Sequence, residues 1–324
     1  MKTFKLINET ICILGFGIQG KAQAMNLRDA GHKVIIGNIN DKYAKDAKKS
    51  GFKVFSISKA VKHSKVIFVL LPDGIQNDII NNQIFPNSNK GSTIIFAHGY
   101  WLRFEAKNIP EHLNILMIAP RFPGRQIRDE YIKSSGVPAF VDIIQDHKGE
   151  AKKWSKILCK SLGFSKGGIM NISYKKEAEI DLYIEQFMAP LFFAAVENSF
   201  KHLIKNGYPR EAVCMELYFS GELGAVRTMM GKYGLYKSMQ KNASPTCQFG
   251  IASSMNKVWS KQLDVTIKKQ LNHIKNGKFK KELSNTKLAL KTVKKFLNTK
   301  ISKQIRATEK NLKKKLNKPK IISN

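Results

Sequence analysis

Two carboxylates, Asp181 and Glu185, lie four residues apart in a stretch with a helical pattern of apolar residues. In an α-helix this spacing places them about 40° apart on one face. An exposed like-charge pair costs stability, and burial without a partner would cost more. A divalent cation relieves both penalties, and Mg²⁺ commonly binds through one or two carboxylates, waters and substrate oxygens. A solvated acidic face explains the spacing equally well, so the residues alone leave both interpretations open.

A second stretch that could do chemistry begins with an apolar, β-prone run that ends in the pattern G-x-G-x-x-G. We expect Gly15 to make the turn, Gly17 to let a pyrophosphate approach the backbone, and Gly20 to let the following helix pack on the strand. The free N–H groups of that helix N-terminus would attract phosphates. The alternative is a glycine-rich turn without a ligand. The predicted cofactor-binding residues of the turn are Gly15, Phe16, Gly17, Ile18, Gln19 and Gly20.

The adenine ribose of such a cofactor is expected after the second strand, where NAD sites usually carry a carboxylate and NADP sites carry cations. Asn38 at this place is neutral, Asp41 comes late, and Lys42 and Lys45 are close by. We therefore predict that Asn38 and Lys42 contact the cofactor and that NADP is favoured, with NAD possible.

Further polar residues follow apolar runs that are typical of buried parallel strands. Pro72 and Asp73 follow one such run, and His98 follows the next. Ligands of open α/β sheets bind at this carboxyl edge, so we predict that Pro72 and Asp73 contact the cofactor, and His98 is a candidate for the site. A histidine after a strand is as often simply hydrogen-bonded in a turn. Ser244, directly before a proline, is typical of a helix N-cap on spacing alone.

The elements that must position these residues change character once along the chain. Up to about residue 172, apolar strands alternate with helices, which predicts a Rossmann-type, doubly wound parallel sheet over residues 1–172. From Tyr174 onward the pattern is helical without strands. We predict an α/β domain followed by an all-α domain over residues 173–324.

The formal net charge of +32 over 324 residues is the outlier in the composition. Residues 261–324 alone contribute 20 basic against 3 acidic residues, but only 8 arginines occur in the whole chain. Lysines without arginine or aromatic partners form a poor nucleic-acid site, so we expect a solvated basic surface and no nucleic-acid partner. The four cysteines are isolated in the sequence, which argues against a zinc site and against a set of disulfides. No apolar run is long enough for a membrane span, and we expect a cytoplasmic protein.

Taken together, the ordered motifs resemble the short form of ketol-acid reductoisomerase. The resemblance extends from about residue 11 to about residue 250, and it continues faintly through His273–Phe279. It rests most on the segment from Tyr174 to Gln186, which is similar to the metal-binding helix of that family. The other supporting segments are the glycine turn, Leu71-Pro72-Asp73, Phe96-Ala97-His98-Gly99, Gly136-Val137-Pro138-Ala139 and Gln145-Asp146.

The resemblance implies a two-stage reaction. Two Mg²⁺ ions polarise an acetohydroxy acid such as 2-acetolactate so that an alkyl group migrates, and NADPH then reduces the rearranged keto acid to a dihydroxy acid. This is a step of isoleucine and valine biosynthesis. By position, Asp181 is implied to bridge the metals, Glu185 to bind one of them, His98 to belong to the polar shell, and Ser244 to contact the substrate carboxylate. The resemblance also implies that the all-α domain over residues 173–324 carries the metal, substrate and dimerisation functions, and that the protein is at least a homodimer.

Three departures from the family pattern bear on this transfer. Arg121 stands where the family usually has lysine, and arginine is bulkier and cannot deprotonate. The second metal helix should carry E-x-x-x-E, but Ser220 follows Glu216 at the fourth position, and Glu222 is about 120° away on an ideal helix. Ile39 stands where members that use NADPH often have arginine.

We predict Arg121 as catalytic with His98, Asp181 and Glu185, and we predict Glu216 and Glu222 as further metal ligands. A paralogous NAD(P)H-dependent reductase of another hydroxy-keto acid, with a reduced metal site, is the leading alternative. A basic, non-catalytic protein associated with nucleic acid is the least favoured interpretation.

Overall fold

The computed structural model describes residues 9–316, except for the side chain of Asn256. Within this range an eight-stranded sheet forms the centre of the N-terminal part. The strands are β1 Thr10–Leu14, β2 Lys33–Gly37, β3 Lys53–Phe55, β4 Val66–Val69, β5 Thr93–Phe96, β6 Asn114–Pro120, β7 Ala139–Gln145 and β8 Ile169–Asn171.

The strand order is β3-β2-β1-β4-β5-β6-β7-β8. Every neighbouring pair is parallel except β6 and β7, which are antiparallel. Strands β4, β5 and β6 are buried along their whole length, as expected for strands that are covered by helices on both faces. The predicted Rossmann-type sheet is confirmed, with one antiparallel pair toward its far edge.

Among the described residues up to Tyr183, nine α-helices connect and follow these strands. They are α1 Ile18–Asp29, α2 Lys42–Lys49, α3 Ile57–Lys62, α4 Asp73–Ile79, α5 Tyr100–Phe104, α6 Gly124–Ile132, α7 Glu150–Ser161, α8 Phe164–Gly167 and α9 Tyr174–Tyr183. Two apolar clusters lie in this part: Phe16, Phe68 and Trp154 belong to one, and Trp101 and Phe96 belong to the other. The two clusters hold the sheet rigid from both faces.

The chain divides into two compact units, and the boundary along the chain lies between Asp181 and Leu182. The described part of the second unit is entirely helical. Its α-helices after α9 are α10 Ala189–Lys205, α11 Arg210–Cys214, α12 Glu222–Tyr233, α13 Leu235–Asn242, α14 Pro245–Val258, α15 Lys261–Lys275, α16 Lys278–Ser284, α17 Thr286–Leu297 and α18 Lys300–Lys315. Its buried centre is small, formed by Phe200, Val213, Cys214 and Leu312.

Two π-helical turns interrupt the helices of the second unit, at Ile184–Met188 and Met215–Phe219. The helical pattern around Asp181 and Glu185 does not indicate the first of these turns. Pro190 lies two residues after Met188, the last residue of the first turn, and a proline removes an N–H that a regular helix would use. None of the described helices is both long enough and apolar enough to cross a bilayer.

Candidate active site

The glycine turn between β1 and α1 has the geometry that a dinucleotide site requires. Gly15 adopts a φ of +90°, and a Cβ there would lie 2.7 Å from the carbonyl oxygen of Leu70. A Cβ on Gly20 would collide with the carbonyl oxygen of Gly15, so this glycine lets α1 pack against the turn. Around Gly17, the N-cap of α1, a Cβ would meet nothing within 4 Å. The backbone is therefore open at the one glycine that a pyrophosphate should approach.

The loop after β6 is packed directly onto this turn. A Cβ on Gly124 would collide with the backbone of Ile18, and the side-chain amide of Gln19 donates a hydrogen bond to the carbonyl of Phe122 at 3.2 Å. Ile18 itself is exposed. The contact fixes the segment that carries Arg121 beside the start of α1.

A cleft of about 470 Å³ opens at the carboxyl end of β2, where the adenine ribose was expected. The amide of Asn38 donates to Asp41 Oδ1 at 2.7 Å, and this carboxylate also caps α2. Lys42 lies over the ring of Tyr43. Oδ1 of Asp41 therefore already accepts hydrogen bonds from three protein donors. The lining residues are Asn38, Ile39, Asn40, Ala44, Lys48, Val54, Phe55, Ser56, Ile57 and Gln83.

A cluster of charged side chains forms where β5 and β6 end and α9 begins. His98, Glu177 and Asp181 each present one ligand atom, and these atoms lie within 4.8 Å of one another. Arg121 donates to Glu177 Oε1 at 2.7 Å and to Asp181 Oδ1 at 2.9 Å. His98 Nδ1 lies 3.1 Å from Glu177 Oε2 and 3.6 Å from Asp181 Oδ2. We name these four residues the polar cluster.

Glu177 is the buried centre of the polar cluster, since its side chain is 0% exposed. Its Oε2 also accepts the backbone N–H of Gly99 at 2.7 Å. A Cβ on Gly99 would collide with the carbonyl of Tyr174, so the turn after β5 and the start of α9 touch at backbone level. The N–H of Tyr174 in turn donates to Asp142 at 2.8 Å. These contacts anchor the helix that carries both acidic members of the cluster.

The charges of the polar cluster support one another. Burial raises the pKa of Glu177, but the hydrogen bond and charge of His98, the Gly99 N–H and Arg121 prevail and lower it. Burial lowers the pKa of His98, but Glu177, Asp181 and Asp73 prevail and raise it. Burial is also the main reason that the pKa of Asp73 is raised. The arrangement favours a protonated histidine beside an ionised glutamate.

The donor set of the polar cluster can be compared with the needs of Mg²⁺, which prefers carboxylate oxygens. Both oxygens of Glu177 accept hydrogen bonds, and so does Asp181 Oδ1. Asp181 Oδ2 accepts no hydrogen bond from the described residues and lies 3.6 Å from His98. Asp181 therefore still has an oxygen to offer to a cation.

The other predicted metal ligands lie in the second unit. Glu185 is in the π-helical turn Ile184–Met188, and Glu216 is in the turn Met215–Phe219. Glu222 begins α12 after Gly221, whose φ of +95° interrupts the helix. The 120° separation expected for Glu216 and Glu222 assumed a regular helix, so it does not describe this segment. The roles of all three as ligands stay predictions.

Ser244 is the N-cap of α14, and its side chain accepts the N–H of Cys247 at 3.2 Å. The cap that its position before a proline indicated is therefore present. Pro72 is the N-cap residue of α4, and Asp73 accepts a hydrogen bond from Gln76 at 3.1 Å. A substrate contact for Ser244 and cofactor contacts for Pro72 and Asp73 stay predictions.

Sequence reasoning did not single out Glu177, although it contacts both His98 and Arg121 and is the most buried member of the polar cluster. A signal was present: Glu177, Asp181 and Glu185 follow one another at intervals of four, which places a row of carboxylates on one face of a regular helix.

Comparison with known families covers almost the whole chain. The family model described as "Acetohydroxy acid isomeroreductase, NADPH-binding domain" matches residues 5–168. The model described as "Ketol-acid reductoisomerase, C-terminal domain" matches residues 174–318. Together the two matches span both units.

Individual relatives agree with these matches. The chain is 34% identical over 279 residues to the ketol-acid reductoisomerase (NADP(+)) of Pyrobaculum aerophilum, a match that covers 86% of this chain and 84% of the relative. The enzyme of the same name from Petrotoga mobilis matches with the same identity and coverage. The structure of an NADH-preferring ketol-acid reductoisomerase from an uncultured archean superposes with a TM-score of 0.87, at 27% identity and 94% coverage of both chains. The chain belongs to the ketol-acid reductoisomerase family, and it is an oxidoreductase.

Proposed function

We propose that this chain is a Mg²⁺-dependent ketol-acid reductoisomerase that uses NADPH, or NADH less well. Its substrates would be acetohydroxy acids such as 2-acetolactate, which it converts to 2,3-dihydroxy acids in branched-chain amino acid biosynthesis. The observation that carries the proposal is the polar cluster: His98, Glu177 and Asp181 converge within 4.8 Å at the edge of the sheet. The loop that carries Arg121 connects this cluster to the open glycine turn.

The reaction requires a proton to leave one substrate oxygen and another to reach its neighbour. His98 is suited to this exchange because Nδ1 faces Glu177, whereas Nε2 has no hydrogen-bond partner among the described residues. Nδ1–H donation to Glu177 holds the ring in one orientation and leaves Nε2 to accept or donate at the substrate. The raised pKa of His98 keeps a proton available near neutral pH.

Asp181 and Glu185 would hold Mg²⁺, with Glu216 and Glu222 as the further predicted ligands. The metal would polarise the substrate oxygens and NADPH would supply the hydride. Asp181 would offer its open oxygen to the metal, and the substrate would be oriented by the charge of Arg121 and by Ser244 at its carboxylate. Burial of Glu177 keeps the charges of the cluster poorly screened and therefore effective.

NADPH is the proposed cofactor because none of the residues that line the cleft carries a carboxylate, and Oδ1 of Asp41, at the start of α2, already accepts three hydrogen bonds from the protein. Lys48 lines the same cleft and provides a cation for a 2′-phosphate. A NADPH affinity at least tenfold above that for NADH would support this assignment. Equal affinities, or tighter NADH binding, would contradict it.

One observation favours the paralogous reductase as a second candidate. Arg121 engages both acidic members of the polar cluster, so fewer carboxylate oxygens are open than the isomerisation would use. We expect 3-hydroxy-3-methyl-2-oxobutanoate, the already rearranged acid, to be reduced faster than 2-acetolactate with NADPH and Mg²⁺. NADPH consumption at 340 nm measures both rates. Turnover of the rearranged acid alone would favour the reductase, and turnover of neither would refute both.

Two variants locate this activity. Asp181→Asn removes the carboxylate that is proposed to hold the metal and should abolish both reactions. Glu222→Gln, in the exposed first turn of α12, should have a smaller effect. If Asp181→Asn kept more than about a tenth of the activity, Asp181 would not have the proposed role.

We also propose that the second unit pairs with another copy of this chain in the cytoplasm. Its buried centre is small, yet large apolar side chains such as Phe249, Tyr236 and Leu290 are exposed. Burying such surface against a second copy would stabilise the fold. All four cysteines are free, as in a reducing compartment. Light scattering coupled to size exclusion should give at least a dimer, and a monomer at micromolar concentration would contradict the pairing.

A further inference from the structure

Arg121 is a fixed cation inside the polar cluster. Each of its three guanidinium nitrogens donates a hydrogen bond: Nη2 to Glu177, Nη1 to Asp181, and Nε to the carbonyl of Ala119 at 3.2 Å. The guanidinium also lies over the ring of Phe140, 4.9 Å from its centroid. The side chain is only 22% exposed. Groups from β6, β7 and α9 therefore hold the charge in one place and one orientation.

This cation takes up the carboxylate oxygens that a metal ion would use. Of the four carboxylate oxygens of Glu177 and Asp181, three accept hydrogen bonds from Arg121 or from the Gly99 N–H. A guanidinium does not lose its proton in a protein, so a rise in pH does not free these oxygens. A divalent ion at Asp181 must work against the positive charge of Arg121 or displace it.

We propose that Arg121 is an internal cation that competes with a divalent metal ion for Asp181. The proposal rests on the function proposed above, because Asp181 is a metal ligand only in that function. It follows that the wild-type chain binds divalent ions weakly when substrate is absent. A metal ion can then occupy the site only when Arg121 releases Asp181. A substrate carboxylate or alkoxide that pairs with the guanidinium would bring about this release.

The test is a titration of the full-length chain with Mn²⁺ alone, followed by the loss of the free Mn²⁺ signal in electron paramagnetic resonance. Arg121→Met removes the charge and keeps much of the volume. We expect this variant to bind Mn²⁺ about 30-fold more tightly than wild type, the factor that corresponds to a unit charge about 4 Å from a doubly charged ion under full water screening. A dissociation constant within threefold of wild type would overturn the proposal.

Arg103→Met is the matched control. Arg103 also pairs with a glutamate of α9, Glu179 at 3.2 Å, and is 28% exposed, and neither Arg103 nor Glu179 is a member of the polar cluster. Its loss should leave the Mn²⁺ affinity within twofold of wild type. A gain in affinity equal to that of Arg121→Met would show that loosening α9, rather than removing the competing charge, is responsible, and would overturn the proposal.

Two further variants cover other outcomes. If circular dichroism shows that Arg121→Met does not fold, Arg121→Lys replaces it in the titration. We expect Arg121→Lys to bind Mn²⁺ at least fivefold more tightly than wild type, because lysine lacks the planar guanidinium that hydrogen-bonds both carboxylates at once. Asp181→Asn added to the tighter variant should remove the gained Mn²⁺ binding, and binding that persists would contradict competition at Asp181. These titrations use no substrate, so their result is independent of the proposed function. A chain that converts neither 2-acetolactate nor the rearranged acid can still bind Mn²⁺ more tightly after Arg121→Met, and a chain that converts both can fail to do so.

Discussion

Replacing Glu177 by glutamine tests whether this buried side chain organises the polar cluster. In the wild type, Oε1 accepts from Arg121 and Oε2 accepts from the Gly99 N–H and faces His98. Glutamine has one acceptor oxygen and one NH₂ group. In either orientation of the amide, its NH₂ group faces a donor, which is the Arg121 guanidinium or the Gly99 N–H. Arg121 also loses one of its two carboxylate partners and keeps only Asp181.

The expected loss of stability follows from burial. Removing one partner of a buried, hydrogen-bonded ion pair typically costs about 3–5 kcal/mol, and Glu177 is fully buried, so solvent screening does not reduce this value. In a unit of this size each kcal/mol lowers Tm by about 2–4 °C. We therefore expect Glu177→Gln to lower the Tm of the first unit by about 6–20 °C.

Thermal unfolding followed by circular dichroism measures this change, with Glu179→Gln as the matched control. Glu179 lies on the same helix and pairs with Arg103, but it is 18% exposed and outside the polar cluster, so we expect it to cost about 1 kcal/mol or less. Glu177→Gln should also lower the pKa of His98, which NMR titration of the ring protons reports. A Tm within 2 °C of the control, with an unchanged His98 pKa, would refute this account of the cluster.

The remaining predictions concern pH and the two glycine turns. The folded-state pKa of His98 is raised above its unfolded value of about 6.5, so the stability that protonated His98 contributes is complete below pH 6.5 and is lost as pH rises through the folded pKa. We therefore expect the Tm of the wild type to fall as pH rises through this window. A His98→Asn variant whose Tm fell with the same slope would contradict this prediction. Gly17→Ala should leave Tm within 2 °C, because its Cβ meets no protein atom within 4 Å, but it should weaken NADPH binding at least tenfold. Gly20→Ala should lower Tm, because its Cβ collides with the carbonyl of Gly15. If melting curves and fluorescence titrations showed that Gly17→Ala lowers Tm and Gly20→Ala does not, the assignment would be refuted. Gly99→Ala should lower Tm by several degrees because its Cβ collides with Tyr174, and an unchanged melt would show that α9 is not anchored there.

The sheet was predictable because its determinants are local. Apolar runs such as Val66–Val69 predict strands that are covered on both faces, and the three glycines around Phe16 specify a turn whatever the rest of the chain does. The antiparallel placement of β7 was not predictable in the same way. Its residues are as compatible with a parallel strand, and the direction depends on how the connection through α6 returns to the sheet.

The candidate site was predictable only in part. His98 and Asp181 were found because a strand end and a carboxylate pair mark them in the sequence. The partners of Glu177 are 56 to 79 residues away along the chain, so no local pattern indicates that it binds Arg121 and His98. The 120° between Glu216 and Glu222 holds only for a regular helix, and one glycine with positive φ, Gly221, ends the regular helix between them.

The most direct test of the proposed function is to find where hydride arrives. The purified chain is incubated with 2-acetolactate, Mg²⁺ and NADPH that carries deuterium at the transferred position, and the product is analysed by NMR. Ketol-acid reductoisomerase activity predicts 2,3-dihydroxy-3-methylbutanoate with deuterium at C2, because the methyl group migrates before the hydride is transferred. Deuterium at C3 of unrearranged 2,3-dihydroxy-2-methylbutanoate, or no deuterated product, would contradict it.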